Sequence, residues 1–256
     1  MNIAICLHGQ PRDYKYGYNC ISNLININRE NKYDFFFHCW IDDNIKYKCS
    51  PWRNINEKDL FIDNQDHVKN DISQLYKPIS CLYEKPLDEN NDILLTDFEY
   101  IKKSRAYSNS NKMIKNNMYN TYSQFYSRNK VKDLFEEYIT NTKTKYDMVI
   151  STRFDGFGFP TDFKFSTMQK NKIYTSSVHR PRYIIPDTFL IIPSEIYINW
   201  FNFYKNIKNI INNMEIDTKI ININEKMIFN SEEMLLSNYL FYGYDVNNIE
   251  YTLVLK

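Results

Sequence analysis

Two apolar runs about 30 residues apart, with one helical stripe between them, constrain this chain more than any other feature. Ile3-Ala4-Ile5-Cys6-Leu7 reads as a buried strand. Tyr14, Tyr18, Ile21 and Ile25 then recur at +4, +3 and +4, which is one face of a helix. Tyr33-Asp34-Phe35-Phe36-Phe37-His38-Cys39-Trp40 reads as a second buried strand. Strand, helix and strand at this spacing make a βαβ unit, whose crossover sets the strands parallel and right-handed. A parallel sheet needs helices on both faces. The expected class is therefore α/β, with a mostly parallel central sheet in a sandwich of helices. At 256 residues the chain is long enough to bury the core of one such domain.

The rest of the chain supplies the missing layers. Leu75 to Tyr83 suggests a short helix and a strand, and helical spacing returns from Met118 through Tyr138. Asp147 to Ser151 is the next buried strand, and Lys172-Ile173-Tyr174 another. Phe189 to Ile192 reads as a strand, followed by Ser194 as the N-cap of a helix reaching Met214. A last helix is expected from Ser231 and a final strand from Tyr251 to Leu255. No repeat and no linker rich in Pro, Gly or Ser interrupts this order, so one domain over 1–256 is expected.

Composition excludes several functions. Lys and Arg number 32 and Asp and Glu 31, a formal net charge of +1, so no overall field favours nucleic acid or an anionic membrane. Any anion must be held by local groups. No apolar run approaches the roughly 18 residues of a membrane span. The first run is too short for a signal core and lacks a basic flank. The five cysteines (Cys6, Cys20, Cys39, Cys49 and Cys81) form no CxxC pair, so free thiols and a reducing, cytoplasmic compartment are expected.

Two turns carry the chemistry. In "CLHGQPRDY", residues 6–14, the first strand breaks at His8-Gly9-Gln10-Pro11-Arg12. Ligands of open α/β sheets bind beyond the carboxyl ends of strands. A tight turn with one cation there suits an anion such as a nucleoside diphosphate, or is an ordinary strand-to-helix turn. In "MVISTRFDGFGFP", residues 148–160, a buried strand runs into Arg153 and Asp155, with Gly156 and Gly158 behind. Residues two apart on an extended segment share a face. Asp155 can hold a divalent cation and Arg153 can neutralise phosphate bidentately. The plainer reading is a surface ion pair. His8 and His38 fall at strand ends on the expected ligand side and read as hydrogen-bonded structural groups, with no third partner for zinc. The tyrosines of "YSQFYS" read as core and rim.

"ICLHGQPRDY", "DFFFHCW", "YSQFYSRNKVKDL" and "YDMVISTRFDG" together resemble the glycosyltransferase-like proteins of bacterial surface-polysaccharide clusters and large DNA viruses. Those proteins open with a strand and a Gly-Gln-Pro-Arg turn. They carry an aromatic strand ending His-x-Trp, and a central strand ending Arg-x-Arg-x-Asp or a close variant. The resemblance implies a GT-A fold with a nucleotide-binding half over 1–155 and an acceptor-side half over 156–256. It implies a nucleoside-diphosphate sugar as donor, a glycan or glycolipid as acceptor, and Mn²⁺ or Mg²⁺ held at a DxD-like motif, here at Asp155. Gly9, Gln10, Arg12, Arg153 and Asp155 would line the nucleotide pocket, with Pro11 fixing the turn. Ser151 replaces the first arginine of the pattern, and Arg153 stands where a DxD would have its first aspartate. One carboxylate holds a divalent ion less well than two, and Arg153 can replace part of the metal's charge.

Two further segments resemble family positions in part. Asp187 precedes a strand where relatives have Asn-Asp, with Pro186 in place of the Asn, and would bind a sugar or act as general base. A strand-edge turn explains it equally. Glu232 and Glu233 open a helix, as the glutamate near the acceptor site of inverting GT-A enzymes does. The helix dipole alone also favours acids there. The expected location is the cytoplasm, or the host cytoplasm for a viral protein, with the membrane reached through a partner or a lipid-linked substrate. The rival readings are a GT-A-like module that binds nucleotide or glycan without turnover, and another α/β nucleotide-dependent transferase. Against the second stands the lack of a Walker glycine loop.

Overall fold

In the computed structural model, the residues described are 1–42, 46–47, 60–61, 65–87, 92–104, 118–156, 163–176, 185–214 and 230–252. β1 (Asn2–Gly9) and β2 (Lys32–Trp40) flank α1 (Tyr14–Ile27), and the strands pair in parallel as the βαβ spacing requires. α2 (Gln65–Tyr76) leads to β5 (Ser80–Glu84), which adds in parallel outside β2. β3 (Lys46–Tyr47) and β4 (Leu60–Phe61) form a separate small ribbon. After α3 (Asp92–Lys103) and the long α4 (Met118–Thr142), β6 (Met148–Arg153) returns to the other side of β1, again in parallel.

The remaining strands are β7 (Ile173–Ser176), β8 (Phe189–Pro193) and β9 (Ile249–Thr252). Together they complete a seven-stranded sheet in the order β5-β2-β1-β6-β8-β7-β9. β8 runs antiparallel to both β6 and β7, while β9 is parallel to β7. The class is therefore α/β with a mostly parallel central sheet. Its helices complete the layers with α5 (Ser194–Trp200), α6 (Phe203–Met214) and α7 (Ser231–Phe241).

Strand alternation divides the core into two. Ala4, Cys6, Phe36 and Val149 face α4 to α7, where they meet Phe135, Tyr197, Trp200 and Leu235. Ile3, Ile5, Leu7, Phe37 and Ile150 face α1 and α2, where they meet Ile21, Leu24 and Ile72. Phe36 packs edge-on against Phe135 and Tyr138 with centroids 5.4 Å apart, a geometry worth about 0.5–1.5 kcal/mol per pair beyond burial.

Two expected elements change. The helix expected from Ser194 to Met214 breaks at Phe201 and Asn202 into α5 and α6. The Trp200 carbonyl accepts from the Asn238 side chain of α7, and Asn202 Nδ2 donates to the Ile198 and Asn199 carbonyls. Side chains thus take the acceptors that a continuous helix would use. Ser194 is the first helical residue and not the N-cap; Pro193 precedes it without a side-chain cap. The final strand begins at Ile249, and residues 253–255 lie outside the described residues, as do Cys49 and Gly158. Cys6, Cys20, Cys39 and Cys81 are free thiols, and burial pushes the Cys6 thiol up to about 12. Among the described residues no helix is long and apolar enough to cross a membrane.

Candidate active site

The chain leaves β1 towards β2 on one side and comes back to β6 on the other. The carboxyl ends of β1 and β6 therefore flank the point where the strand order reverses, the usual ligand crevice of such sheets. Register puts His8 of β1 directly beside Arg153 of β6 there. A cavity of about 470 Å³ opens at this place. It is lined by His8, Gly9, Gln10 and Arg12 from the first turn and by Arg153 and Asp155 from the second. Asp187, Ser231 and, from α4, Thr121, Ser123 and Gln124 line it as well.

Gly9 makes the first turn possible. Its φ of +100° lies in the region that favours glycine, and its N–H donates to Ser127 Oγ at 2.8 Å. Ser127 Oγ lies 2.7 Å from His38 Nδ1, and His38 Nε2 lies 2.8 Å from Glu84 Oε2. Burial pushes His38 down although Glu84 pulls it up, so the ring is neutral near pH 7. The His38 contact holds Glu84 below the usual carboxylate range. An ionised carboxylate only accepts, so the proton sits on Nε2 and Ser127 donates to Nδ1. This chain ties the turn to β2, β5 and α4, and it gives His38 the structural role expected of it.

His8 differs. It is fully buried at the cavity wall, and neither ring nitrogen has a hydrogen-bond partner among the described residues. Burial, with Arg128 and Arg153 nearby, holds it well below its ordinary pKa and therefore neutral. The hydrogen-bonded structural role expected of it from the sequence finds no partner among the described residues.

The second turn is a charge cluster. Arg153 grips Asp155 with Nε on Oδ1 at 2.8 Å and Nη2 on Oδ2 at 3.2 Å. Arg12 Nε lies 3.9 Å from Asp155 Oδ2 and Arg153 Nη1 lies 3.9 Å from Asp187 Oδ1. Asp187 Oδ2 accepts from Gln124 Nε2 at 2.7 Å and from Ser231 Oγ at 3.0 Å. Burial by itself would raise the Asp187 carboxyl, but Arg153, Arg128 and these donors hold it below the usual range. Behind it Arg128, fully enclosed, donates Nη2 to the Asp187 carbonyl at 2.8 Å, and burial pushes its guanidinium down to about 10. Gly156 closes the turn with its N–H on the Arg153 carbonyl at 2.9 Å.

The structure therefore brings Gly9, Gln10, Arg12, Arg153, Asp155 and Asp187 into one cavity. It does not bring Glu232 and Glu233 to the cavity lining. The N–H of Glu233 donates to the N-cap Asn230 Oδ1 at 2.8 Å, and its Oε1 accepts from Asn230 Nδ2 at 3.3 Å. The Glu232 carbonyl accepts the Ile185 N–H at 3.4 Å. Asn230→Ala is expected to cost about 1 kcal/mol, read as a lower urea midpoint. An unchanged midpoint would remove the capping role.

The divalent cation implied by the family resemblance, with Asp155 as its ligand, fits this donor set poorly. Both Asp155 oxygens accept from Arg153, and Arg12 stands close on the same side chain. No group of three or more His, Cys, Asp or Glu side chains that could hold a metal occurs among the described residues. The sequence reading missed His8, Gln124, Arg128 and Ser231. Gln124 and Arg128 stand four apart in "YSQFYSRN", the spacing of one helix face, and this was the signal open to it.

No protein-family model matches the chain, and none of the curated proteins does. Among solved structures, the galactosyltransferase LgtC in complex with donor and acceptor sugar analogues superposes over 98% of this chain and 73% of its own, at 11% identity and a TM-score of 0.41. An active-site mutant of LgtC gives 10% identity and 0.40, over 98% of this chain and 72% of its own. The PaToxG glycosyltransferase gives 9% and 0.36, over 94% of this chain and 69% of its own. Likeness at this level does not say what this chain does.

Proposed function

We propose that the chain is a nucleotide-sugar-dependent glycosyltransferase of GT-A type, moving a sugar from a nucleoside diphosphate to a glycan or glycolipid. One observation carries the reading: the Gly9–Arg12 turn and the Arg153–Asp155 turn converge on one cavity at the reversal point of a parallel sheet. Its volume of about 470 Å³ falls in the range of small-ligand sites. The four sequence segments that resemble the glycosyltransferase-like group lie on β1, β2, α4 and β6, the elements that build the crevice.

In this reading Arg12 and Arg153 meet the diphosphate and stabilise the charge that develops on it as the sugar departs. Asp187 is ionised and acceptor-only, and its Oδ1 lies 3.9 Å from Arg153 Nη1. Of the three proposed carboxylate bases it is the one that lines the cavity. It takes the proton of the acceptor hydroxyl if the reaction inverts the anomeric centre.

The test is a thermal-shift screen with uridine and guanosine diphosphates and their sugars. A bound diphosphate at a hundredfold excess over its Kd adds about 2.7 kcal/mol of stability. A lack of shift with any of them, in chelator or in Mn²⁺, would overturn the reading. Donor hydrolysis in the same samples separates an enzyme from a module that only binds.

A further inference from the structure

In a DxD site a divalent cation balances the charge of the departing diphosphate. We propose that this site binds the diphosphate without a divalent cation: the guanidinium groups of Arg12 and Arg153 contact the phosphates directly, and Asp155 is a positioning residue that holds both arginines. The inference rests on the nucleotide reading above.

The first argument is occupancy. A cation needs open carboxylate oxygens. Asp155 offers both of its oxygens to the Arg153 fork at 2.8 and 3.2 Å, and Arg12 Nε approaches Oδ2 at 3.9 Å. An ion on Asp155 would sit against two cations, and like charges a few ångströms apart repel. Asp187 is no better placed. Two neutral donors hold its Oδ2, and Arg153 stands 3.9 Å from its Oδ1.

The second argument is sign. Arg12, Arg128 and Arg153 stand against Asp155 and Asp187. Arg128, even pushed down to about 10, is protonated near neutral pH, and His8 is held neutral by the burial and arginines described above. Among these five described side chains the positive charges outnumber the negative by one before any ligand arrives. That excess attracts a diphosphate and repels a divalent ion.

The third argument is donor geometry. Arg153 spends Nε and Nη2 on Asp155 and keeps Nη1, whose distance to Asp187 is an ion pair and too long for a hydrogen bond. A fork pinned at one side and open at the other is prepared for a phosphate oxygen at no further cost in side-chain entropy.

The experiment measures binding of uridine and guanosine diphosphate by calorimetry, once in excess EDTA and once in excess Mn²⁺. The expected dissociation constants agree within about threefold. Arg153→Ala weakens binding about tenfold to a hundredfold in both conditions. Arg12→Ala at the rim is the second variant, and it reads the same contact should Arg153→Ala fail to fold. Binding seen only in Mn²⁺, or strengthened more than about tenfold by it, overturns the inference and leaves the nucleotide reading standing. Binding in EDTA that neither arginine variant weakens also overturns it. If neither nucleotide binds in either condition, the nucleotide reading fails and this inference with it.

Discussion

Gly17→Ala is expected to cost about 1–3 kcal/mol or more of stability and to disturb the Arg153–Asp155 turn with it. Gly17 lies in α1, packed against the end of β6. A Cβ built there would stand 1.8 Å from the Phe154 carbonyl oxygen, 2.9 Å from its carbon and 3.3 Å from the Gly156 nitrogen. All three are backbone atoms, so no rotamer change relieves the contact. Either α1 moves away or the segment between Arg153 and Gly156 does. Helix propensity argues the other way, since alanine is better than glycine inside a helix by about 0.8–1.0 kcal/mol. The overlap is the larger effect, so the sign is destabilising. Against a total stability of about 5–15 kcal/mol this is a substantial loss. Urea unfolding gives the answer, and a variant as stable as the parent would show that α1 does not approach β6 so closely.

Asp187→Asn is expected to leave diphosphate binding within a few-fold and to lower turnover on the acceptor by a factor of about 10² to 10⁴. The amide keeps the shape and can still accept from Gln124 and Ser231, and the Arg128 bond is to the backbone carbonyl, which the substitution does not touch. What disappears is the anion and its power to take a proton. Full turnover in the variant would send the search for the base to Glu232 or Glu233.

The same residue gives a pH signature. Its carboxyl is depressed in the fold, so the unfolded chain binds the proton more tightly than the native one. Its contribution to stability is complete about one pH unit above the usual carboxylate value of about 3.9. It is lost as pH falls from about 5 through 3.9 towards the lower folded value. Asn carries no such proton, so the stability gap between parent and Asp187→Asn should shrink over that window. A gap that stays constant or widens in acid would contradict the assignment of Asp187 as an ionised partner of Arg153 and Arg128.

Much of this molecule was legible before any coordinate. The period of the apolar residues and the distance between the first two runs determined the β1-α1-β2 unit and its parallel sense, because a strand, a helix and a strand of those lengths have few other ways to close. The two turns that end β1 and β6 were readable for the same local reason: charged and glycine residues that follow a buried strand must lie at its carboxyl end. Tertiary structure decided the rest. That β8 runs against its neighbours, that Asn238 and Asn202 break the long helix at Phe201, and that Glu233 serves the N-cap of α7 all depend on partners that a local pattern does not contain. The strand register set His8 beside Arg153, and packing enclosed Arg128 behind Asp187. Charges separated by tens of residues became one cluster there, and the excess charge of that cluster is a property of the fold. The sequence names which groups can carry charge. Only the packed chain determines which of them share a low-dielectric space, and so which ones neutralise one another and which charge is left for a ligand.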